Sequence, residues 1–163
     1  MKKSLRLIPS IMLCITMILT VCSCFGPSTP QDSVNVPEGT KNAVVVRYIK
    51  NDNDTITATI SVEGDVEYAA IVGILSYDKN VLTYVSHEAI DCANVNNKEA
   101  GVIAFSQANS KNYTDKQTLF KVTFSYTEPL NTSISFTFDE GNFTNDQFKD
   151  VEYTVIGGEI KLA

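Results

Sequence analysis

Apolar residues at every second position are the feature of this sequence that most restricts its fold. Residues 55–62 place Ile, Ala, Ile and Val at alternate positions, separated by threonines and a serine. Residues 120–126 and 134–138 repeat the pattern with aromatic and aliphatic side chains. Successive side chains of a strand point to opposite faces of a sheet, so each segment predicts a β-strand with one dry and one wet face. No segment of the folded region has a convincing helical period.

The stretch from residue 68 to residue 85 departs from this alternation. Its first part, YAAIVGIL, is apolar on both parities. A strand of that kind is expected to be covered on both sides. Residues 78–80, Asp-Lys-Asn, have turn chemistry, and an apolar run restarts at Val81. We therefore expect a central strand that runs straight through a turn into its neighbour.

Turn residues separate eight or nine such short segments between residue 43 and residue 163. A chain of 163 residues has room for one domain with a sizeable core. The pattern predicts an all-β fold, an antiparallel β-sandwich of the jelly-roll kind. Its expected core fillers are Phe120, Phe124, Phe136 and Phe138.

Residues 1–23 have the three parts of a secretory signal peptide: basic residues, an apolar core over residues 7–21, and a small residue, Ser23, before Cys24. The ending VCSC resembles a bacterial lipobox, whose cysteine receives a diacylglycerol and becomes the first residue after cleavage. Cys24 is the predicted lipidated residue, and Cys22 is a weaker acceptor because bulky Val21 precedes it. The alternative is an ordinary signal peptide without lipid. We expect a protein anchored by lipid to the extracellular face of a bacterial cell membrane.

Residues 24–42 are rich in Pro, Ser, Thr and Gly and predict a flexible linker after the lipidated cysteine. Residues 43–163 then form the folded domain. Without the first 23 residues, ten basic and 19 acidic residues remain, a net charge near −9. This charge disfavours nucleic acid and a direct contact of the domain with anionic lipids, so membrane contact is expected through the anchor only.

Residues 75–82, LSYDKNVL, resemble the LSYDPNVL signature of cohesin domains. The resemblance covers roughly residues 42–162, including residues 120–124, 141–143 and 157–160. Cohesins are β-sandwich modules that bind dockerins in cellulosomes. The resemblance implies a non-catalytic module that recognises a protein partner, of the dockerin type or another surface protein, in assemblies that degrade polysaccharides.

The alignment with this signature implies which side of the central strand meets a partner. It places Ala70, Val72, Ile74 and Ser76 outward, on the sheet face that meets the dockerin helix in cohesins. The Asn and Asp of type I recognition fall at Ala70 and Val72, and an acidic residue of a later strand falls near Asn109. A standard type I dockerin is therefore not favoured. A flatter, more apolar patch remains, which suits a helix held by hydrophobic contact.

Two alternatives stay open at this point. The loop 91–101, or the segment 110–117, could fold over the outward side of the strand and leave no partner face. The domain could also be a carbohydrate-binding module of a surface lipoprotein. Such modules usually bind glycans on exposed aromatic planes, and this chain has no Trp; its candidates are Tyr84, Tyr113 and Tyr126.

The sequence has no pattern typical of catalysis, a metal or a cofactor. His87 is the one histidine and Cys92 the one cysteine left for the domain, too few for zinc. Residues 51–54, NDND, lack the glycine and glutamate that an EF-hand needs later in its loop, so a hairpin turn is expected there. The acidic residues of 139–146 are a weaker candidate for a cation.

Overall fold

The computed structural model describes residues 34–127 and 130–162. The predicted signal peptide and Cys24 lie outside these ranges. Within the ranges no helix is long and apolar enough to cross a membrane. The described chain forms the following β-strands: β1 Ala43–Lys50, β2 Thr55–Glu63, β3 Tyr68–Tyr77, β4 Leu82–Ala89, β5 Asn94–Glu99, β6 Val102–Tyr113, β7 Gln117–Tyr126, β8 Leu130–Thr137, β9 Phe143–Thr144, β10 Thr154–Gly157 and β11 Glu159–Leu162.

The strands form two sheets that pack as a sandwich. The first sheet has the order β10-β1-β2-β7-β4, and the second has the order β11-β8-β3-β6-β5, with β9 also paired to β3. The predicted all-β sandwich is confirmed. All pairings between neighbours are antiparallel except the parallel pair of β1 and β10.

The core is formed by the side chains of both sheets that point into the sandwich. Ile56, Ile60, Phe120 and Phe124 of the first sheet are fully buried. They face inward residues of the second sheet, such as Phe105, whose ring centroid lies 5.1 Å from that of Phe120. Burial of this apolar surface is the main favourable contribution to folding. Of the four predicted core phenylalanines, Phe136 and Phe138 are only partly buried, and they pack against the core cluster.

The described chain has eleven strands rather than the predicted eight or nine. One additional strand comes from the C-terminal segment, where Gly157 and Gly158 both have positive φ and divide the predicted closing strand into β10 and β11. The two halves join different sheets. The strand β5 forms from polar residues at a sheet edge, where the sequence gives no apolar alternation. Alternation of apolar and polar residues does not detect short strands or polar edge strands.

The expectation that the central strand runs straight into its neighbour is wrong. The central strand β3 pairs with β6, β8 and β9, whereas β4 pairs with β7 in the opposite sheet. The reason is the tight turn after β3, in which the Asp78 carbonyl accepts hydrogen bonds from Val81 N and Leu82 N. This turn carries the chain from one layer to the other instead of closing a hairpin.

Residues 34–42 of the predicted linker contact the domain. The buried Asn42 side chain accepts a hydrogen bond from Glu67 N and donates one to the Glu152 carbonyl. Farther back, Arg47 Nη2 donates to the Val34 carbonyl at 3.1 Å. Within the described ranges, contacts with the sandwich therefore extend back from residue 43 to residue 34.

Candidate functional site

The outward side of β3 is exposed along the centre of the second sheet. Val72 is 46% and Ile74 40% exposed, while Ile71 and Leu75 on the other parity are fully buried. Ala70 and Ser76 are partly buried and share the parity of the two exposed residues. The structure thus places four of the predicted partner residues on one exposed strand face.

Strand pairing extends this surface sideways with small, uncharged residues. On the β6 side, the register sets Ser106 beside Val72 and Ala104 beside Ile74. On the β8 side, Thr137 lies beside Ile74 and Ser135 beside Ser76. We name the outward residues of β3, β6 and β8 the outer face. Short side chains in three adjacent strands make a flat surface that a helix can approach closely.

The charged residues of this sheet lie away from Val72 and Ile74: Glu159 and Lys161 are in β11 at one edge, Lys98 and Glu99 are in β5 at the other, and Lys111 is near the end of β6. Glu159 and Lys161 form an exposed ion pair at 2.8 Å. Both line a shallow polar cleft with Ser76, Asn131, Ser133 and Ser135. One half of the outer face is therefore apolar, around Val72 and Ile74, and the other half carries hydroxyl and amide groups.

Asn109, the remaining predicted partner residue, lies at the Ala70 end of the outer face. Ala70 pairs with Ala108, and the register then shifts, so that Tyr68 pairs with Tyr113. The residues of β6 between these pairs form a bulge that begins with the exposed Asn109. The structure therefore brings Asn109 beside Ala70, at the sheet end where the bulge interrupts regular pairing.

Gly73 explains how this apolar strand stays flat above a crowded core. A Cβ at this position would lie 2.5 Å from a ring atom of Phe138 and 2.6 Å from one of Phe105. These rings occupy the space that a side chain would need. Glycine therefore lets two aromatic rings pack directly against the backbone between Val72 and Ile74.

Neither of the two segments that could have covered the outer face does so. Residues 94–99 form β5, which extends the sheet beyond β6. Most of the first half of the segment 110–117 belongs to β6 itself, which ends at Tyr113. The expectation that β3 is covered on both sides is thus wrong for its outward side. Sequence alone could not distinguish a covered strand side from an exposed one, because the alternate apolar residues are the same in both.

The opposite outer surface, that of the first sheet, carries a cluster of ionic groups around Glu63. Arg47 forms an ion pair with Glu63, Lys116 Nζ lies 2.8 Å from the carboxylate, and Ser61 Oγ donates to it at 2.7 Å. Burial alone would raise the pKa of Glu63, but these hydrogen bonds outweigh it and lower the pKa to about 2. Because Arg47 also donates to the Val34 carbonyl, the cluster holds residue 34 against the first sheet.

Glu63→Gln is expected to lower the free energy of unfolding at pH 7 by about 1–3 kcal/mol, because it removes the charge in these hydrogen bonds. The pKa of Glu63 is lowered from 4.5 to about 2, so its contribution is complete above pH 4.5 and is lost as the pH falls towards 2. Urea unfolding of both proteins at several pH values should show a difference that shrinks over this range. Glu88→Gln, at an exposed pair with Lys121, is the control and should change little. A Glu63→Gln effect that is independent of pH would contradict the assignment.

The other reactive groups of the described chain are placed as structural residues. Burial, together with the Asp91 charge, raises the pKa of the Cys92 thiol to about 12, so it is a poor nucleophile at neutral pH. His87 Nδ1 lies 2.6 Å from the hydroxyl of Tyr84. No group of three or more His, Cys, Asp or Glu side chains within the described ranges could hold a metal ion. In the acidic segment 139–150, the Asp150 carboxylate accepts a hydrogen bond from Gly141 N.

The three tyrosines considered for glycan binding do not form an exposed platform. Tyr126 is buried, and Tyr113 is partly buried with its ring centroid 5.2 Å from that of Tyr68. Tyr84 also packs partly against the core. The most exposed aromatic residue of the described chain is instead Phe148, for which the sequence predicts no role. Its signal was an isolated aromatic residue inside a run of polar residues.

The centre of the second sheet thus presents an uncharged, partly apolar face to solvent. Comparison with solved structures gives the fold. The chain is similar to CaCohA2 of Clostridium acetobutylicum, solved in complex with CaDoc0917, with a TM-score of 0.58, 15% identity, and coverage of 76% of this chain and 99% of that one. The described domain therefore has the cohesin fold.

Two further cohesins show the same similarity. One is the sixth cohesin of scaffoldin B from Acetivibrio cellulolyticus, solved with the Cel5 dockerin, with a TM-score of 0.54, 16% identity, and coverage of 75% and 95%. The other is the OlpA cohesin of Clostridium thermocellum in a type I cohesin–dockerin complex, with a TM-score of 0.55, 12% identity, and coverage of 76% and 94%. No protein-family model and no curated protein matches the sequence.

Proposed function

We propose that this protein is a lipid-anchored module of the bacterial cell surface that docks a protein partner, of the dockerin type, on its outer face. The single observation that supports this most is the exposure of Val72 and Ile74 at the centre of a flat sheet face. Solvent-exposed aliphatic side chains side by side in a central strand cost solvation free energy that a partner would recover. The similar cohesins, two of them solved with dockerins, support the class of partner.

The chemistry of the face favours one kind of contact. The positions of β6 and β8 that flank Val72 and Ile74 are uncharged, so a partner gains little there from charged side chains. A helix with an apolar stripe could lie on Val72 and Ile74, while its polar flank meets the hydroxyl groups around Ser76 and Ser135. Ala70 and Val72 stand where type I recognition uses Asn and Asp. The partner's helix should therefore be more apolar than that of a type I dockerin.

The contact between Val34 and Arg47 is compatible with an anchored module whose docking face is free. Val34 is held by Arg47 on the outer surface of the first sheet, whereas the outer face belongs to the second sheet. The proposed anchor, Cys24, precedes Val34 by ten positions. Ten residues span at most about 35 Å when fully extended. The anchor would therefore lie within about 35 Å of Val34.

The docking proposal is tested with the full chain, purified in detergent and immobilised. The probes are the Cel5 and Doc918 dockerins and a dockerin that binds type II cohesins. We expect at least one to be retained, and its dissociation constant should change less than about twofold between 0.05 and 0.5 M salt, because the face is uncharged. If no dockerin is retained, docking of the dockerin type is wrong. A strong decrease of affinity with salt would contradict the apolar contact.

Cys24→Ala is expected to abolish incorporation of labelled fatty acid and to move the protein out of the membrane fraction. The reason is that a diacylglycerol on Cys24 would hold the mature chain in the bilayer, whereas the domain itself is acidic and avoids anionic lipid. Cys22→Ala is the matched control and should keep the label. Label that persists in Cys24→Ala and is lost in Cys22→Ala would move the anchor to Cys22. Loss in neither variant would contradict a lipid anchor at this motif.

A further inference from the structure

Phe148 is the most exposed large apolar side chain of the described residues, at 91%. It lies in the tip of a hairpin whose first arm is β9. Thr144 is bridged to Asp150 across the hairpin, and Val151 N donates to the Phe143 carbonyl. The first arm also pairs with β3, with Thr144 beside Ala70. The tip therefore stands at one end of the sandwich, beyond the Ala70 end of the outer face.

The tip is fixed by hydrogen bonds rather than loosely extended. The Asn145 side-chain oxygen accepts from both Gln147 N and Lys149 N at 3.0 Å. Within the turn, Phe148 N donates to the Asn145 carbonyl. Asp146 N donates to Asn112 Oδ1 at 2.8 Å, which ties the tip to the β6 bulge. The backbone that presents the ring therefore loses little conformational entropy on binding.

The backbone of Phe148 is strained. Its φ is +59°, in the left-handed region that bulky side chains avoid. Neither the strain nor the exposed ring stabilises the fold, since glycine or asparagine would occupy this turn position at lower cost. Strained positions that persist without a structural benefit are found mainly at functional sites. The combination points to a ligand for the ring.

The residues next to Phe148 in the hairpin tip restrict the ligand's chemistry. Asp146, Gln147, Lys149 and Asp150 are all exposed. They offer carboxylate, amide and ammonium groups, which together accept and donate hydrogen bonds. Residues 139–152 contain five acidic residues and one lysine, so the region repels anionic lipids and anionic polymers. A pyranose ring has an apolar C–H face for stacking on Phe148 and hydroxyl groups at its rim for the neighbouring polar side chains.

We propose that the Phe148 hairpin tip is a stacking site for a sugar ring of a neutral polysaccharide. This site differs from the three tyrosines considered above and from the outer face, and it does not depend on the docking proposal. A single aromatic contact gives weak binding to one ring. A polymer chain would therefore be held weakly and reversibly, at the end of the sandwich rather than on its sheet faces.

The test is affinity electrophoresis of the full chain, in detergent, through native gels that contain hydroxyethyl cellulose, xylan, laminarin or polygalacturonate. We expect at least one of the three neutral polymers to retard the protein and the anionic polygalacturonate not to. Phe148→Gly should bind that polymer about tenfold or more weakly, equivalent to about 1.4 kcal/mol. Phe148→Tyr keeps the ring and should keep the retardation. Val72→Lys, on the outer face, should leave it unchanged.

Phe148→Gly also separates binding from folding, since glycine accepts the φ of +59° and the variant should melt no lower than the wild type. Lack of retardation by all three neutral polymers overturns the proposal. Retardation that Phe148→Gly leaves intact overturns it too, as does retardation that Val72→Lys removes, because the glycan would then lie elsewhere. If Phe148→Gly instead loses a dockerin that the wild type retains, while no glycan retards the chain, the tip belongs to the protein interface and the sugar site is wrong.

Discussion

Val72→Lys is expected to weaken binding of the retained dockerin about a hundredfold or more. Val72 lies at the centre of the outer face, where a docked helix would exclude water. A lysine there must either be buried without a charged partner or hold the helix away from Ile74, and an unpaired charge in an interface costs several kcal/mol. A hundredfold loss corresponds to only about 2.7 kcal/mol, so the expectation is conservative.

The effect on folding should be small by comparison. Val72 already exposes nearly half of its side chain, and a lysine can extend its ammonium into solvent in the free protein. The matched control is Ser86→Lys, an exposed position of β4 in the first sheet, which adds the same charge away from the outer face. Binding is measured by calorimetry and folding by a thermal melt. Equal affinities for Val72→Lys and the wild type would remove the outer face from the interface.

The sequence could predict which residues of β3 share the exposed side of the strand. Alternation identifies Ala70, Val72, Ile74 and Ser76 as one side of a strand, and the signature around Asp78 identifies which side is outward. Period-two patterns fix faces because side chains alternate strictly. They do not fix which strands become neighbours. The turn at Asp78 could have closed a hairpin on composition alone, and only its hydrogen bonds carry β4 into the other sheet.

The same limit explains why Phe148 had no predicted role. Its neighbours in sequence, Gln147 and Lys149, suggest an ordinary polar loop. Its position depends on the pairing of Thr144 with both Ala70 and Asp150, and on Asn112, which is 36 positions earlier in the chain. Such long-range contacts leave no local pattern. Exposure, unlike alternation, is a property of the assembled sandwich.

Phe105→Ala is expected to lower the free energy of unfolding by about 3–5 kcal/mol, the largest stability effect that we predict for a single side chain. Phe105 is almost fully buried and joins the two sheets through its contact with Phe120. Its ring also contacts Phe136 and Phe138 edge to face, at centroid distances of 6.1 and 6.2 Å. Removing the ring leaves a cavity that these rings cannot all move to fill.

The cavity would open directly beneath the outer face, because the Phe105 ring occupies the space where Gly73 lacks a side chain. Urea unfolding should show a lower midpoint with an unchanged slope. Phe105→Leu refills most of the volume and should lose less than half as much stability. A loss below about 1 kcal/mol for Phe105→Ala would contradict the close packing between the sheets. At concentrations of urea where Phe105→Ala is still folded, weaker dockerin binding by this variant would show that the flat outer face depends on the aromatic layer beneath it.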